Sequence, residues 1–416
     1  MTQQFKSDFL NILQERGLLY QCSDVHALDD QLSQGICTAY IGYDATAKSL
    51  HIGNLVTVMM LRRFQQAGHK PMVLMGGGTT RVGDPSGKDT VRQLLDDDAI
   101  NQNINSLKSI YAQFLRFDDS ATGAQMVNNA DWLLSLNYVD FLRDYGRHFS
   151  VNRMLGMDSV KSRLEREQNL SFLEFNYSIL QAYDFVELKR RYNVILQLGG
   201  SDQWGNIVSG VDLGRRVLSE PIFALTCPLL LNSEGKKMGK SVDGAIWLNA
   251  DMRTPYEYYQ YFRNVNDQDV GKILRFFTDI PMDEIHRLES LQGSEINHAK
   301  EIAAFEITKM CHGENAATSA QATARATFAD GGVGDDLPII ILDQTQFQNG
   351  EISLVDVMVA SNLVTSKSEA RRAIEQGGVK INNEKCDDVN HTLKPTDLNQ
   401  DLKLSVGKKK HCLVRL

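Results

Sequence analysis

The sequence lacks the features that mark several large protein classes. No run approaches 18 consecutive apolar residues, so no membrane-spanning helix and no membrane partner are expected. The opening MTQQFKSDFL is polar rather than signal-like, and the chain is expected to be soluble and cytoplasmic. Six cysteines, at 22, 37, 227, 311, 386 and 412, form no CxxC and no close cluster with histidine. That scatter fits neither a zinc site nor a disulfide scaffold and points to reduced thiols, with no tightly bound metal. Internal repeats are absent.

Two nucleotide motifs are approached and missed. In Gly83-Asp-Pro-Ser-Gly-Lys88 the first glycine of GxxxxGK[ST] would stand at position 82, which is Val82. Asp89 follows the lysine where a magnesium-binding Ser or Thr is required. Gly76-Gly77-Gly78 does not complete GxGxxG, whose last glycine would fall on Arg81. No Ser/His/Asp or Cys/His set for nucleophilic catalysis stands out. The net charge of −8 argues weakly against nucleic acid. Residues 349–416, however, hold 11 Lys/Arg against 9 Asp/Glu, so the acidity lies in the first 348.

What is present is a chain of 416 residues, 42% apolar, long enough for roughly two to three domains with a sizeable core. Ile36–Tyr43 is β-rich, Leu55–Gln66 has helical apolar spacing, and Pro71–Met75 is a short apolar run ending in three glycines. Val194–Leu198 is a further strand ending in Gly199-Gly200. Strand, helix and strand at this spacing predict an α/β fold with a parallel sheet, whose ligands bind beyond the carboxyl ends of the strands. Helical patterns dominate from about 250 to 328. The stretch Asp330-Gly-Gly-Val-Gly-Asp-Asp-Leu-Pro338 reads as a linker. Beyond it, Ser366-Lys-Ser-Glu369 is a capping-box sequence for a helix over Lys367–Gln376, followed by a strand at Val379–Ile381 and a turn at Asn382-Asn383. The expected division is 1–245 for the α/β domain, 246–328 for a helical domain, 329–348 for the linker and 349–416 for a small α+β module.

Three segments carry the chemistry. In Ala45-Thr-Ala-Lys-Ser-Leu-His-Ile-Gly-Asn54, His51 and Asn54 stand three apart at a helix start, and Gly53 lets a nucleotide approach the backbone. The helix N-terminus suits a phosphate; His51 is equally open to a capping role. Downstream, Lys237-Met-Gly-Lys-Ser241 follows Gly235-Lys236 and makes a cationic loop. Tyr177, Gln181 and Asp184 fall on one face of a predicted helix, with Phe172, Phe175, Ile179 and Val186 covering another as core. A polar stripe on an otherwise buried helix needs partners, either internal ones or a bound ligand.

HIGN and KMGKS, about 185 residues apart, resemble the HIGH and KMSKS signatures of the class I aminoacyl-tRNA synthetases. Tyr40-Ile-Gly-Tyr-Asp44, Gly83–Lys88, Tyr177–Asp184 and Gln197–Asn206 narrow the resemblance to the bacterial tyrosine-activating branch, and the C-terminal module resembles an S4 RNA-binding domain. This likeness implies a Rossmann-like catalytic domain, a helical anticodon-region domain and a homodimer. It implies activation of L-tyrosine with ATP to tyrosyl-adenylate plus pyrophosphate, then transfer to the terminal adenosine of tRNA(Tyr). ATP is a substrate, with Mg2+ carried on its phosphates.

By the same resemblance Tyr40 and Asp184 meet the phenol hydroxyl, and Tyr177, Gln181 and Asp84 hold the ammonium. Asp44 and Gln203 line the amino-acid end, and Gly200 and Asp202 take the ribose. Thr46 and His51 meet the γ-phosphate, while Gly53, Asn54 and Ser241 complete the nucleotide site. Lys88, Arg92, Lys237 and Lys240 surround the pyrophosphate. A site built to bond a hydroxyl rejects the analogue lacking it, a rule that tyrosine-activating synthetases themselves illustrate; no segment looks like an editing domain. In the C-terminal module Lys367, Arg371, Arg372 and Lys380, with Lys408–Lys410, form a basic edge suited to structured RNA.

Two positions depart from the signatures. Asn54 replaces the last histidine, and Gly239 replaces the middle serine. Rival readings are a tryptophan-activating sibling, a non-catalytic RNA-binding protein with a synthetase-like body, and a small-molecule nucleotidyltransferase. Tyr40 and Asp184 oppose the first, intact His51, Asp202, Lys237 and Lys240 the second, and the KMGKS loop with the S4-like tail the third.

Overall fold

The computed structural model describes residues 4–86, 95–241, 244–329, 337–347, 349–407 and 410–416. Six strands build the sheet of the first compact unit: β1 (Gln21–Cys22), β2 (Thr38–Tyr43), β3 (Lys70–Met75), β4 (Gln125–Asn128), β5 (Val194–Gly200) and β6 (Phe223–Cys227). Their order is β1-β6-β5-β2-β3-β4, parallel throughout except for β1 against β6. All five residues of β6 are buried, as are the first six of β5, the pattern of strands covered on both faces. The chain proceeds from β2 to β3 and β4 on one side and places β5 and β6 on the other. The order therefore reverses between β2 and β5, and a crevice opens there at the carboxyl ends of the strands.

The helices that flank this crevice are α1 (Ile52–Gln66), α2 (Asp97–Phe114), α3 (Tyr177–Tyr192) and α4 (Trp204–Val217). Close approach of α3 and α4 depends on Gly210, where a Cβ would stand 3.1 Å from the Phe185 ring and 3.6 Å from the Ala182 Cα. Asn193 ends α3 in the left-handed conformation, its N–H bonded to the Leu188 and Lys189 carbonyls, and β5 starts at the next residue. The helix that carries the polar stripe thus runs directly into a sheet strand.

One packing expectation is corrected. Phe172 and Phe175 do not lie on α3 but on a separate turn, Phe172–Phe175, which the Ser171/Glu174 capping box opens. Phe175 packs against the core, whereas Phe172 is 71% exposed. Ile179 and Val186, which are on α3, are buried as expected.

The helical stretch after residue 246 does not stay together. α5 (Pro255–Arg263), the chain from Lys300 through most of α7 (Ile296–His312), and α8 (Glu314–Ala329) belong to the second compact unit. Residues 265–299, with α6 (Val270–Phe277), belong to the first. A Thr254/Glu257 capping box with Pro255 in the first turn starts α5, which packs on α8.

The second unit also holds the short pair β7 (Lys240–Ser241) and β8 (Gly244–Ala245), together with the C-terminal module. In that module α9 (Leu354–Ala360) and α10 (Lys367–Glu375) pack on a five-stranded sheet. Its strands are β9 (Ile339–Ile341), β10 (Val379–Ile381), β11 (Glu384–Cys386), β12 (Leu402–Val406) and β13 (Lys410–Arg415), ordered β11-β10-β12-β13-β9. Leu354, Met358, Ile374, Val379, Leu404 and Val414 are among its buried core residues. Asn382 and Asn383 turn between β10 and β11 at φ of 48° and 70°, the paired left-handed conformation of a tight hairpin. The expected capping box at α10 is half formed. Ser366 caps Glu369 N–H, but the Glu369 carboxylate accepts from the N–H and hydroxyl of Thr365 instead. β9 lies within the stretch read as linker, where three isoleucines pair in parallel with β13.

Candidate active site

The crevice between β2 and β5 gathers most of the residues singled out from the sequence. Tyr40 stands on β2 with its side chain fully buried, and its hydroxyl finds no hydrogen-bond partner among the described residues. Burial raises its pKa well above the usual tyrosine value, and the charge of nearby Asp184 adds to the effect. Asp184, on α3 and 2% exposed, accepts from Trp132 Nε1 at 2.7 Å and Asn129 Nδ2 at 2.9 Å. Burial pushes its pKa up to about 7; the two bonds pull it down, and Asp44 and Glu187 push it further up.

A polar network continues from there. Asn129, itself buried, donates to Thr79 Oγ1 at 3.1 Å and accepts from Gly78 N–H at 2.7 Å. Thr79 donates to Asp44 Oδ1 at 2.9 Å, and the Tyr177 hydroxyl donates to the same oxygen at 3.1 Å. Gly76 makes this possible, because a Cβ there would lie 2.5 Å from Thr79 Oγ1 and 2.6 Å from Asp44 Oδ1. Gln181 lies half-buried on α3 between Tyr177 and Asp184. The stripe thus finds internal partners at Tyr177 and Asp184, while the Tyr40 hydroxyl beside it finds none among the described residues.

A second cluster follows β3 and β5. Gln203 Nε2 donates to Asp84 Oδ2 at 2.8 Å, and Ser86 N–H donates to Asp84 Oδ1 at 2.9 Å. Asn206 Nδ2 reaches Gln203 Oε1 at 3.3 Å. Gly200 ends β5, and a Cβ there would stand 2.8 Å from Asp202 Oδ1. Asp202 sits at the solvent-facing rim. The protein bulk around it raises its pKa, Lys237 opposes the rise, and Asp84 adds to it. Four carboxylates, those of Asp44, Asp84, Asp184 and Asp202, therefore line one crevice.

The nucleotide-binding expectation centres on the start of α1. His51 is the N-cap: its Nδ1 accepts from Gly53 N–H at 3.0 Å, and Asn54 Oδ1 accepts from His51 N–H at 3.2 Å. The capping role left open for His51 is filled. It also fixes the neutral tautomer, with the proton on Nε2, where it is a donor suited to a phosphate oxygen. Asn54, at the position of the signature's last histidine, completes the reciprocal cap. Thr46 is exposed in the turn after β2.

Lys237 lies on a tight hairpin closed by Met238 N–H to the Leu230 carbonyl and Asn232 N–H to the Lys236 carbonyl, both 2.8 Å. Gly239 follows at φ +114°, buried, and a Cβ there would stand 3.3 Å from Gly53 N. Serine would be strained at that φ, which accounts for glycine where the signature has serine. Lys88 and Arg92 lie outside the described residues, as do the side chains of Lys240 and Ser241. Among the described residues no three His, Cys, Asp or Glu side chains are placed to hold a metal ion, and no helix is long and apolar enough to cross a membrane.

Known proteins resemble this chain in sequence and fold. A family model for "tRNA synthetases class I (W and Y)" matches residues 33–329, and one for the "Tyrosine--tRNA ligase SYY-like C-terminal domain" matches residues 336–414. The chain is 56% identical over 416 residues to a tyrosine--tRNA ligase of Cereibacter sphaeroides (strain KD131), the alignment covering all of both chains. The chain belongs to the class I tyrosyl-tRNA synthetases.

A tyrosine--tRNA ligase of Zymomonas mobilis is likewise 56% identical over 412 residues, 99% of each chain. The fold of this chain matches a C-terminally truncated mitochondrial tyrosyl-tRNA synthetase of Aspergillus nidulans at a TM-score of 0.68 and 30% identity, over 77% of this chain and 94% of that one. Within this synthetase, sequence reasoning missed Thr79, Asn129 and Trp132. The available signal was positional: Thr79 follows the Gly76–Gly78 turn, and Asn129 follows β4, both at carboxyl ends of parallel strands.

Asp184 gives this site a pH signature. Its folded pKa of about 7 lies above the ordinary carboxylate value, so the folded chain binds its proton more tightly than the unfolded chain. Its contribution to stability therefore improves as pH falls through 7 towards 4. The stability of the wild type relative to Asp184→Asn should rise by roughly 2 kcal/mol between pH 8 and pH 5. Urea unfolding at several pH values reads this, and a flat or falling difference would mean Asp184 is charged and fully compensated.

Proposed function

We propose that this crevice activates L-tyrosine with ATP, with the residues of the β2–β5 cleft in the following roles. The reading rests above all on the buried Tyr40 hydroxyl beside the Asp184 carboxylate: together they offer a donor and an acceptor to a phenol hydroxyl in a water-excluded place. Tyr177, Gln181 and Asp84 hold the substrate ammonium, and Asp44 and Gln203 line the amino-acid end. An anionic lining suits a cation whose own carboxylate must remain reactive. Gly200 and Asp202 take the ribose. Thr46, His51, Gly53 and Asn54 meet the nucleotide at the α1 N-terminus, and Lys88, Arg92, Lys237, Lys240 and Ser241 surround the phosphates. Magnesium enters with the nucleotide.

The chain is a tyrosine–tRNA ligase, and its first half-reaction is attack by the tyrosine carboxylate on the α-phosphorus of ATP, expelling pyrophosphate. A carboxylate is already nucleophilic at neutral pH, so neither a general base nor a covalent enzyme intermediate is needed. Catalysis rests on holding the two substrates in line and on donors that strengthen as charge builds on the departing phosphates. In the second half-reaction a hydroxyl of the terminal adenosine of tRNA(Tyr) attacks the adenylate carbonyl, releasing AMP.

The division of labour we infer assigns 1–245 to catalysis, 246–328 to the anticodon region of the tRNA, 329–348 to a linker and 349–416 to an S4-like RNA-binding module. The module's sheet begins earlier, at Ile339. On the module, Arg371 and Lys380 are exposed, Lys367 pairs with Asp356 at 2.6 Å, and Arg372 Nε donates to the Ser368 carbonyl at 3.4 Å. Lys410 Nζ donates to the Leu363 carbonyl; Lys408 and Lys409 are outside the described residues. Arg371 and Lys380 are therefore the best placed to meet phosphates. The chain acts as a cytoplasmic homodimer. Support for the dimer comes from the exposed apolar side chains of Tyr138, Val139, Val151 and Phe172 on the first unit, each 58% to 71% open to solvent.

Tyrosine should support exchange of labelled pyrophosphate into ATP, whereas tryptophan, phenylalanine and no amino acid should not. Exchange with tryptophan would transfer the chain to the sibling activity, and none with a folded protein would leave RNA binding alone. Tyr40→Phe should narrow the preference for tyrosine over phenylalanine about tenfold, the value of one lost hydrogen bond. Removing 349–416 should spare exchange and cut tRNA charging at least about tenfold; loss of exchange by a folded truncation would refute the division. Sedimentation equilibrium should return twice the chain mass, and a monomer at micromolar concentration would refute the dimer.

A further inference from the structure

The hairpin that carries Lys237 is closed by its own backbone bonds, which fix its shape but not its direction. Side chains of α6 and of the turn before it bond to the hairpin. Lys272, in the first turn of that helix, donates from Nζ to the Leu231 carbonyl at 2.6 Å, at the base of the hairpin. The Ser233 hydroxyl, at the hairpin's turn, lies 3.4 Å from Asp269 Oδ2, and Asn266 Nδ2 lies 3.5 Å from Ser233 Oγ. Asp269 is 2% exposed, and its Oδ1, without a hydrogen bond among the described residues, stands 3.7 Å from Lys272 Nζ. Asp269 thus holds the lysine head while the lysine holds the hairpin.

The far end of the same helix is tied to α1. Arg62 and Arg63, in the last turns of α1, pair with Asp279, and Arg63 also donates to the Thr278 carbonyl. Arg16 donates to the carbonyls of Arg275, Thr278 and Ile280 at 2.8 to 3.0 Å. One eight-residue helix, with Val270, Ile273, Leu274 and Phe277 buried, therefore joins the helix that begins at His51 to the hairpin that ends at Gly239.

We propose that Lys272 is a positioning residue for adenylate formation: through the Leu231 carbonyl it aims the Lys237 hairpin at the α1 N-terminus. It touches no substrate. A charge-assisted bond to a carbonyl restrains the hairpin more firmly than a neutral one, and a small misplacement of a cation in the phosphate site costs rate rather than binding. The inference rests on the tyrosine-activation reading above, and specifically on Lys237 acting on the phosphates.

Tyrosine-dependent pyrophosphate exchange by the full chain tests it, with wild type, Lys272→Met, Lys272→Arg, Lys237→Ala and the Lys237→Ala/Lys272→Met double variant. Lys272→Met should lower kcat about tenfold while the KM for tyrosine stays within about twofold. Lys272→Arg, which keeps a charged donor, should recover most of that loss. In the Lys237→Ala background, Lys272→Met should cost less than about twofold, because a residue acting through the hairpin has nothing left to aim. Wild-type kcat in Lys272→Met, or an undiminished effect in the Lys237→Ala background, would overturn the proposal while leaving tyrosine activation standing. Equal losses of kcat and tyrosine affinity, with a lowered unfolding midpoint, would assign Lys272 to general stability instead. Absence of exchange by the wild type would defeat both readings.

Discussion

The buried carboxylate of Asp184 is the group on which the rest of the crevice depends. A charge or a neutral acid at 2% exposure needs partners, and the chain supplies Asn129 and Trp132 from the segment after β4. Asn129 then has obligations of its own, to Gly78 N–H and Thr79, and Thr79 passes them to Asp44, which also receives Tyr177. Each link satisfies a polar atom that would otherwise be buried without a bond. Removing one member therefore leaves its neighbour unpaired, and the network tends to hold one arrangement. The Tyr40 hydroxyl stands beside this network without joining it among the described residues.

Much of this was legible in the sequence, because its signals were periodic or local. Strands 38–43, 70–75 and 194–200 differ from their expected limits by at most two residues, since apolar runs bounded by glycine leave little choice. The parallel-sheet rule points to the carboxyl ends of the strands but not to the β2–β5 crevice, which needs the strand order, and the i, i+4, i+7 stripe puts Tyr177, Gln181 and Asp184 on α3. The partners of that stripe were not legible. Trp132 and Asn129 meet Asp184 across 52 and 55 residues, and nothing in a single sequence encodes such a pairing. Phe172 departs from its pattern for a different reason: helical spacing carries through a capping box that starts and stops a separate turn, so the periodicity marks an exposed ring as core.

The two departures from the signatures show the same sequence satisfying backbone rules and chemical roles together. Asn54 takes part in a reciprocal cap with His51, a role that a short amide fills well. Gly239 occupies a backbone conformation that side chains avoid, next to a helix start where a Cβ would crowd Gly53 N. Each position is therefore constrained by local geometry before any substrate is considered. That is why these substitutions preserve the helix start and the hairpin rather than erode them.

A reaction whose nucleophile arrives already ionised asks an enzyme mainly for placement, and the distribution of charge here suits that demand. Buried carboxylates in the crevice are held by amides, hydroxyls and an indole N–H, while the α1 N-terminus and the Lys237 hairpin offer donors. The acidic lining would repel a triphosphate if donors and carboxylates were mixed. Topology separates part of the acidic set from the donors: Asp184 comes from α3 and Asp84 from the chain after β3, whereas Asp44 shares the loop after β2 with the α1 N-terminus and Asp202 faces Lys237, whose charge offsets its own. The crevice between β2 and β5 is where the fold brings these carboxylates and donors together, so the switch in strand order sets the electrostatic layout of the crevice.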